Sequence, residues 1–276
     1  MTNGTFSAVG SVVSLWRYPV KSMMGEELNA LDVTDRGVWG DRALALVDAT
    51  DGKVASAKNP RKWPGLFQYR ATFVEPSEPG QPLPPVRIML PDGTLVTSDQ
   101  GDVNAVLSAA LGRQVTLEGS PPAEPRLEEY WPPIEGLDHQ DEVTDEAIPA
   151  GTFFDGAAIH LLTTATLEAL RRAYPDGRFE VRRFRPNIVV APSEAEAGFV
   201  ENAWIGHTLA IGEQVQLKVT GPCPRCVMTT LAQGDLPEDR GILRAAAKAN
   251  QAHVGLYAQV VRGGRVHCGD SVRLES

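Results

Sequence analysis

TGPCPRCVMTT (residues 220–230) holds two of the chain's three cysteines, Cys223 and Cys226, with two residues between them. Three chemistries use such a pair. A structural zinc site needs four ligands, usually a second compact pair of Cys or His. The other candidates are Cys268 and five scattered histidines, and the nearest approach to a pair is "HCG" at 267–269. A redox dithiol usually opens a helix whose N-terminus lowers the thiol pKa. Here "VMTTL" follows, a β-branched run that does not read as a helix start. The third reading is one useful thiolate beside a bystander. Pro222, Pro224 and Arg225 make a rigid, cationic turn suited to displaying a thiolate. Against all three stands a structural reading, because free cysteines are often small core residues.

Working outward, 276 residues suffice for one large domain or two modest ones. Hydrophobic content of 42% and charged content of 22% are those of an ordinary globular chain. A net charge of −9 argues against a nucleic-acid partner. Most of that charge is local: residues 120–150 hold nine acids against Arg126 alone, a net −8. The body of the chain is near neutral and free to carry a basic pocket. Three cysteines make no disulfide framework, and the start carries neither a basic signal-type region nor a long apolar run. No stretch approaches 18 apolar residues. The expectation is a cytoplasmic protein with no membrane span.

Short β-branched runs alternate with Gly, Pro and Asp, which predicts a mainly β (α+β) protein. Expected strands include "SVVSLW" (11–16), "AIHLLT" (158–163), "PNIVVA" (186–191), "VQLKVT" (215–220) and "GLYAQVVRG" (255–263). Three helices are expected. The first is "DVNAVLSAALG", between Asp102 and Gly112. The second is "TATLEALRRAY", ending before Pro175. The third, "DRGILRAAAKANQ", begins near Asp239. The acidic, Pro-rich stretch reads as a linker, giving boundaries of 1–118, 119–149 and 150–276.

At this point several stretches resemble one family in register. "PCPRCVMTT" is similar to the metal-binding turn of MOSC domains, and "FRPNIVV" (184–190) to their Phe-Arg-Pro-Asn signature. "LWRYPVKSMMGEEL" (15–28) and "GVWGDRALALVD" (37–48) resemble the β-barrel domain that often precedes MOSC. "GRVHCGDSVRL" (264–274) resembles the closing Gly-Asp strand. The resemblance implies two β-barrel-like domains with a few short helices, the MOSC barrel at the C-terminus. The two-domain arrangement resembles that of amidoxime-reducing molybdenum-cofactor proteins. It also leaves open a pyridoxal phosphate-like assignment.

The resemblance further implies a ligand set. Cys226 takes the position of the molybdenum ligand, and a soft thiolate suits a metal already held by dithiolene sulfurs. Cys223 becomes a neighbour. Lys21, Ser22, Arg42 and Arg185 fall at positions near the pterin and its phosphate, with Asn187, Thr163, Thr164 and Pro224 as further cofactor contacts. Arg225 is placed to stabilise the thiolate or developing oxyanion charge. Each has a plainer reading: Lys21 and Arg42 as surface charges, Asn187 as a turn former, Thr164 as a helix cap. Two features depart from the pattern: Pro224 stands where amidoxime reducers often have serine, and "LAQGDLPEDRGILR" replaces a Val-Asp-Pro stretch. The implied activity is reduction of small N-hydroxylated compounds. Three cysteines cannot hold both molybdenum and a four-cysteine cluster, and no dinucleotide fingerprint is present. Electrons are therefore expected from a separate flavoprotein or iron–sulfur partner, for which the acidic segment is a candidate docking face. The rival reading is a carrier of molybdenum cofactor, or of sulfur as a persulfide on Cys226.

Overall fold

In the computed structural model, residues 6–193 and 198–275 are described. The run "IHLLT" at Ile159–Thr163 is buried at every position, as expected of a strand covered on both faces. It lies parallel to Ile188–Pro192 and antiparallel to His253–Arg262. From there the sheet continues through Val215–Pro224, Thr208–Ile211 and Ser271–Glu275 to Phe6–Arg17. Phe6–Arg17 then pairs back with Ile188–Pro192, closing a seven-stranded barrel. The first strand pairs with three neighbours, Glu26–Leu28 among them, and its register shifts at Ala8/Gly10 and Val12/Ser14. Bulges of this kind bend a strand and sharpen its twist. Gly10 is required at the bend, since a Cβ there would lie 2.4 Å from the Ala191 carbonyl oxygen. The barrel interior is aliphatic, with Leu15, Leu161, Ile188, Leu217 and Val272 in one cluster.

The N-terminal half builds smaller sheets around a second core. Arg70–Phe73, Val86–Met89 and Leu95–Thr97 form one, and Ala45–Asp48 with Val115–Glu118 another. Helix α1 (Val103–Leu111) ends at Gly112 in the left-handed conformation, as its sequence predicts. The halves exchange strands: Gly264–His267, late in the chain, pairs with Ala30–Thr34. They also share a core, because Met228 and Cys226 of the cysteine turn pack into the N-terminal cluster around Phe67 and Leu66.

A third cluster joins α2 (Thr164–Ala173), the single turn α3 (Val181–Phe184) and α4 (Gly241–Asn250) through Leu167, Leu170, Phe179, Phe184 and Ile242. No helix is long and apolar enough to cross a membrane among the described residues.

The acidic stretch is more ordered than a linker. Arg126–Trp131 and Glu142–Ala147 form an antiparallel hairpin with six facing pairs. Leu127 and Tyr130, on its opposite faces, are both buried. Its acids are answered by cations of the N-terminal half: Glu128 by Lys53 at 3.0 Å, Glu129 by Lys58 at 2.8 Å, Asp141 by Arg61 at 2.7 Å. Sequence periodicity missed the hairpin because its second strand, Glu142–Ala147, is largely exposed and the cations that answer its acids lie far away in the chain.

Candidate functional site

Cys223 is the penultimate residue of the strand Val215–Pro224, and Cys226 caps a single 3₁₀ turn, Val227–Thr230. The β-branched run after the motif is thus helical for one turn, stabilised by Thr229, whose amide and hydroxyl both donate to the Cys226 carbonyl. The turn is clamped from behind by Arg183, which is fully buried. Its guanidinium donates to the carbonyls of Arg178 (2.8 Å), Thr229 (3.1 Å), Leu231 (3.2 Å) and Pro237 (2.8 Å). Sequence reading passed over this residue. An arginine beside a known motif carries no mark of being buried.

At the seam between the halves lies a cavity of about 70 Å³. Lys21, Ser22, Arg42, Arg185 and Asn187 line it, as do Pro224, Arg225 and Cys226. Thr163 and Thr164 do not. Thr163 is the N-cap of α2, accepting from the Thr166 amide at 3.2 Å. Its hydroxyl donates to buried Glu201 at 2.6 Å, and Thr166 donates to the other carboxylate oxygen at 2.7 Å. The cap is therefore Thr163, one residue before the position expected, and its role is structural.

The cavity's cations surround one carboxylate. Lys21 donates to Asp155 at 2.5 Å and to the Phe153 carbonyl at 2.7 Å. Lys58, also a lining residue, sits in the same field. Burial alone would raise the Asp155 carboxyl, but Lys21 and Lys58 hold it well below the usual carboxylate range. Burial lowers Lys21, with Asp155 offsetting part of that loss. Burial and the neighbouring Arg42 bring Arg185 down to about 10. The Arg42 and Arg185 guanidiniums lie 4.5 Å and 4.1 Å from the centre of the Tyr18 ring. Cation–π contact of this kind helps a partly desolvated guanidinium keep its charge.

Ser22, Arg42 and Arg185 all have positive φ (62°, 48° and 53°). Non-glycine residues pay for that conformation, and it gathers where surrounding structure holds functional groups in place. Asn187 faces the cavity, yet its amide is already committed. Its Oδ1 accepts from the His160 amide at 3.1 Å, and its Nδ2 donates to Asp41 at 3.0 Å. It ties strands together instead of reading a ligand's edge. Ser22 is similar, accepting from the Ala57 amide at 3.0 Å.

The two cysteines differ sharply. Arg225, expected beside Cys226, donates instead to the Cys223 sulfur at 2.7 Å and to the Phe184 carbonyl at 2.9 Å. Adjacency along the chain misled, because Cys223 and Arg225 straddle the strand end and point the same way. Burial pushes the Cys223 thiol up, but Arg225, His160 and Tyr257 outweigh it and bring it down to about 6. His160 can approach because Gly255 leaves room; a Cβ there would lie 2.4 Å from its Nε2. Burial, reinforced by Glu129, pushes Cys226 up to about 12, with Lys58 and Arg225 opposing. Sequence reading missed Lys58, Asp155, His160 and Tyr257, which belong to no contiguous motif.

Comparison with known proteins agrees with this architecture. The MOSC N-terminal beta barrel domain matches residues 9–114, and the MOSC domain matches residues 149–273. The chain is similar to mitochondrial amidoxime reducing component 2 of Rattus norvegicus and of Bos taurus. Each is 27% identical over 247 residues, which span 81% of this chain and 67% of the relative. Among solved structures it is similar to the YUAD protein from Bacillus subtilis, over 99% of both chains at 12% identity and a TM-score of 0.49.

Proposed function

The chain belongs to the proteins that join a MOSC N-terminal beta barrel domain to a MOSC domain, and on that premise we propose that it binds a molybdenum cofactor and reduces small N-hydroxylated compounds. The observation that carries this reading is the convergence, in one cavity at the seam, of the Cys226 sulfur with Lys21, Arg42, Lys58 and Arg185. The donor set fits a phosphate-bearing group with a thiolate-ligated metal. Lys21, Lys58 and Arg42 around Asp155 give the cavity the positive field that supports an anion ligand. Among the described residues, the buried Nε of Arg225 finds no hydrogen-bond partner. The chain's similarity to amidoxime reducing components supports the substrate class.

In this reading Cys226 holds the metal, and Lys21, Arg42 and Arg185 hold the phosphate. The cofactor, when bound, supplies two-electron reduction with removal of oxygen from nitrogen. The balance is R–NH–OH + 2e⁻ + 2H⁺ → R–NH₂ + H₂O, the electrons coming from a flavoprotein or iron–sulfur partner. The chain's own residues do the rest. Cys226 rests as a thiol, so loading the site releases its proton, a coupling general to thiolate ligands. Lys58 stands beside that sulfur and offsets its charge. Cys223 pairs with Arg225, which gives that guanidinium a partner within the turn. The three cysteines are free, which suits the reducing cytoplasm as the place of action.

The test is turnover of benzamidoxime with a reduced viologen dye as electron source, using protein made in a host that synthesises the cofactor. The reading expects benzamidine from wild type and none from Cys226→Ala. Stoichiometric molybdenum without turnover would favour the carrier reading instead.

A further inference from the structure

The stretch "LAQGDLPEDRGILR" (231–244) buries one polar residue, Gln233, between exposed Ala232 and Gly234. Gln233 is 1% exposed, and its Nε2 finds no hydrogen-bond partner among the described residues. The backbone around it is satisfied. Gln233 and Leu236 each donate an amide to the other's carbonyl, at 3.0 Å and 2.9 Å. Asp235 is held by Arg178 at 2.8 Å and by Arg182 at 2.6 Å. The turn is thus pinned while the carboxamide it carries is left over. A buried amide without a partner is costly, and such a group commonly answers to something that binds there.

Gln233 lines a cleft of about 430 Å³, within the size range of small-molecule sites, that shares only Arg185 with the inner cavity. One wall is flat. The Trp16 and Tyr18 rings lie 14° from parallel with centroids 6.4 Å apart, and the Trp16 Nε1 is tied to Ser14 Oγ at 3.1 Å. Met24 and Val181 add apolar surface. Four arginines line the cleft, and two of them are already engaged by carboxylates: Arg182 by Glu180 and Asp235, Arg171 by Glu168. Arg70 and Arg185 meet carbonyls instead, Gly25 at 3.4 Å and Met23 at 2.7 Å. Against these two stands exposed Glu27. The cleft is therefore positive by one charge, with exposed Arg70 the guanidinium least committed.

A flat ring carrying one carboxylate matches this set. The ring stacks on Trp16, and the carboxylate takes two parallel hydrogen bonds from Arg70. The last side-chain torsion of Gln233 is soft, so its amide can turn to meet a polar group on the ring. We infer that this cleft binds small aromatic carboxylates bearing a hydrogen-bonding ring substituent, with Arg70 as partner of the anion, Trp16 as stacking face and Gln233 as reader of the substituent. The assignment stands apart from the reductase reading, since none of these three residues lines the inner cavity.

The experiment is calorimetric titration of 4-hydroxybenzoate into the full chain. Controls are 4-hydroxybenzyl alcohol, which lacks the anion, and cyclohexanecarboxylate, which lacks the aromatic ring. Wild type binds 4-hydroxybenzoate saturably and each control at least about tenfold more weakly. Arg70→Gln weakens binding by at least about tenfold. Arg70→Lys recovers only part of that, because it keeps the charge but not the fork. Gln233→Leu abolishes the preference for 4-hydroxybenzoate over benzoate, a readout that a packing role would not move. Lys21→Met, in the inner cavity, leaves the affinity unchanged and so locates the carboxylate at Arg70. Circular dichroism verifies that each variant folds, and if Gln233→Leu does not, the two substitutions at exposed Arg70 decide the matter. No saturable binding by wild type, equal affinity in Arg70→Gln, or an equal loss in Lys21→Met overturns the assignment. Such a result leaves the reductase reading standing if wild type contains molybdenum and turns over benzamidoxime.

Discussion

Cys223 and Cys226 lie three positions apart, yet one meets a guanidinium, an imidazole and a phenol while the other meets apolar packing and a carboxylate. The consequence is measurable in the cofactor-free protein. Thiolate absorbance near 240 nm in Cys226→Ser is expected to titrate with a midpoint near 6. A thiol whose folded pKa is depressed stabilises the fold most above its unfolded value, near 9, and loses that contribution as pH falls toward 6. Urea midpoints of wild type and Cys223→Ser should therefore converge as pH drops through that window. A Cys223 thiolate signal appearing only above pH 8 contradicts the arrangement. The sequence suggested that Arg225 serves the Cys226 thiolate, whereas it donates to Cys223. Neighbours in sequence at a strand end need not be neighbours in space, and the choice is made by the Phe184 carbonyl holding the guanidinium's other nitrogen.

At the scale of elements, Thr163 and Arg183 separate holding the fold from holding the turn. Thr163→Ala removes an N-cap and leaves buried Glu201 short of a donor, an expected loss of about 2 kcal/mol by urea denaturation. Because Thr163 lies outside the cavity, molybdenum per folded molecule should not change. Arg183→Met strips four carbonyl partners around the cysteine turn. The expected loss is about 3 kcal/mol or more, together with reduced molybdenum retention. Equal retention by both variants would detach the clamp from the site. Elements with strong local signals were legible: α1 between Asp102 and Gly112, the all-buried strand at Ile159–Thr163, and α4 opening where Asp239 accepts from the Gly241 amide at 2.8 Å. The hairpin at 126–147 was not, because the lysines that neutralise it lie some seventy positions earlier. Local pattern cannot register a partner at that separation.

For the whole molecule, the deciding feature is that the first strand completes the C-terminal barrel. Phe6–Arg17 covers the edges of both Ile188–Pro192 and Ser271–Glu275. A fragment of residues 150–276 would expose two strand edges and part of an aliphatic core, a known route to aggregation. It is expected to be insoluble or to lack a cooperative thermal transition, and co-expression with residues 1–149 should rescue it. A fragment that melts cooperatively alone would contradict the closure. Motif order conveyed the fold's kind and part of the inner cavity's lining, Lys21, Arg42, Arg185 and Cys226 among it. It did not convey the exchange of strands between halves, which depends on pairings across the full length of the chain.

The central claim is that Cys226 holds molybdenum at this seam. The most direct test is metal content by plasma mass spectrometry on wild type, Cys226→Ala and Cys223→Ala, purified anaerobically from a host that makes the cofactor. The account predicts near-stoichiometric molybdenum in wild type, its loss in Cys226→Ala and its substantial retention in Cys223→Ala. Zinc in place of molybdenum, lost equally in both variants, would contradict it.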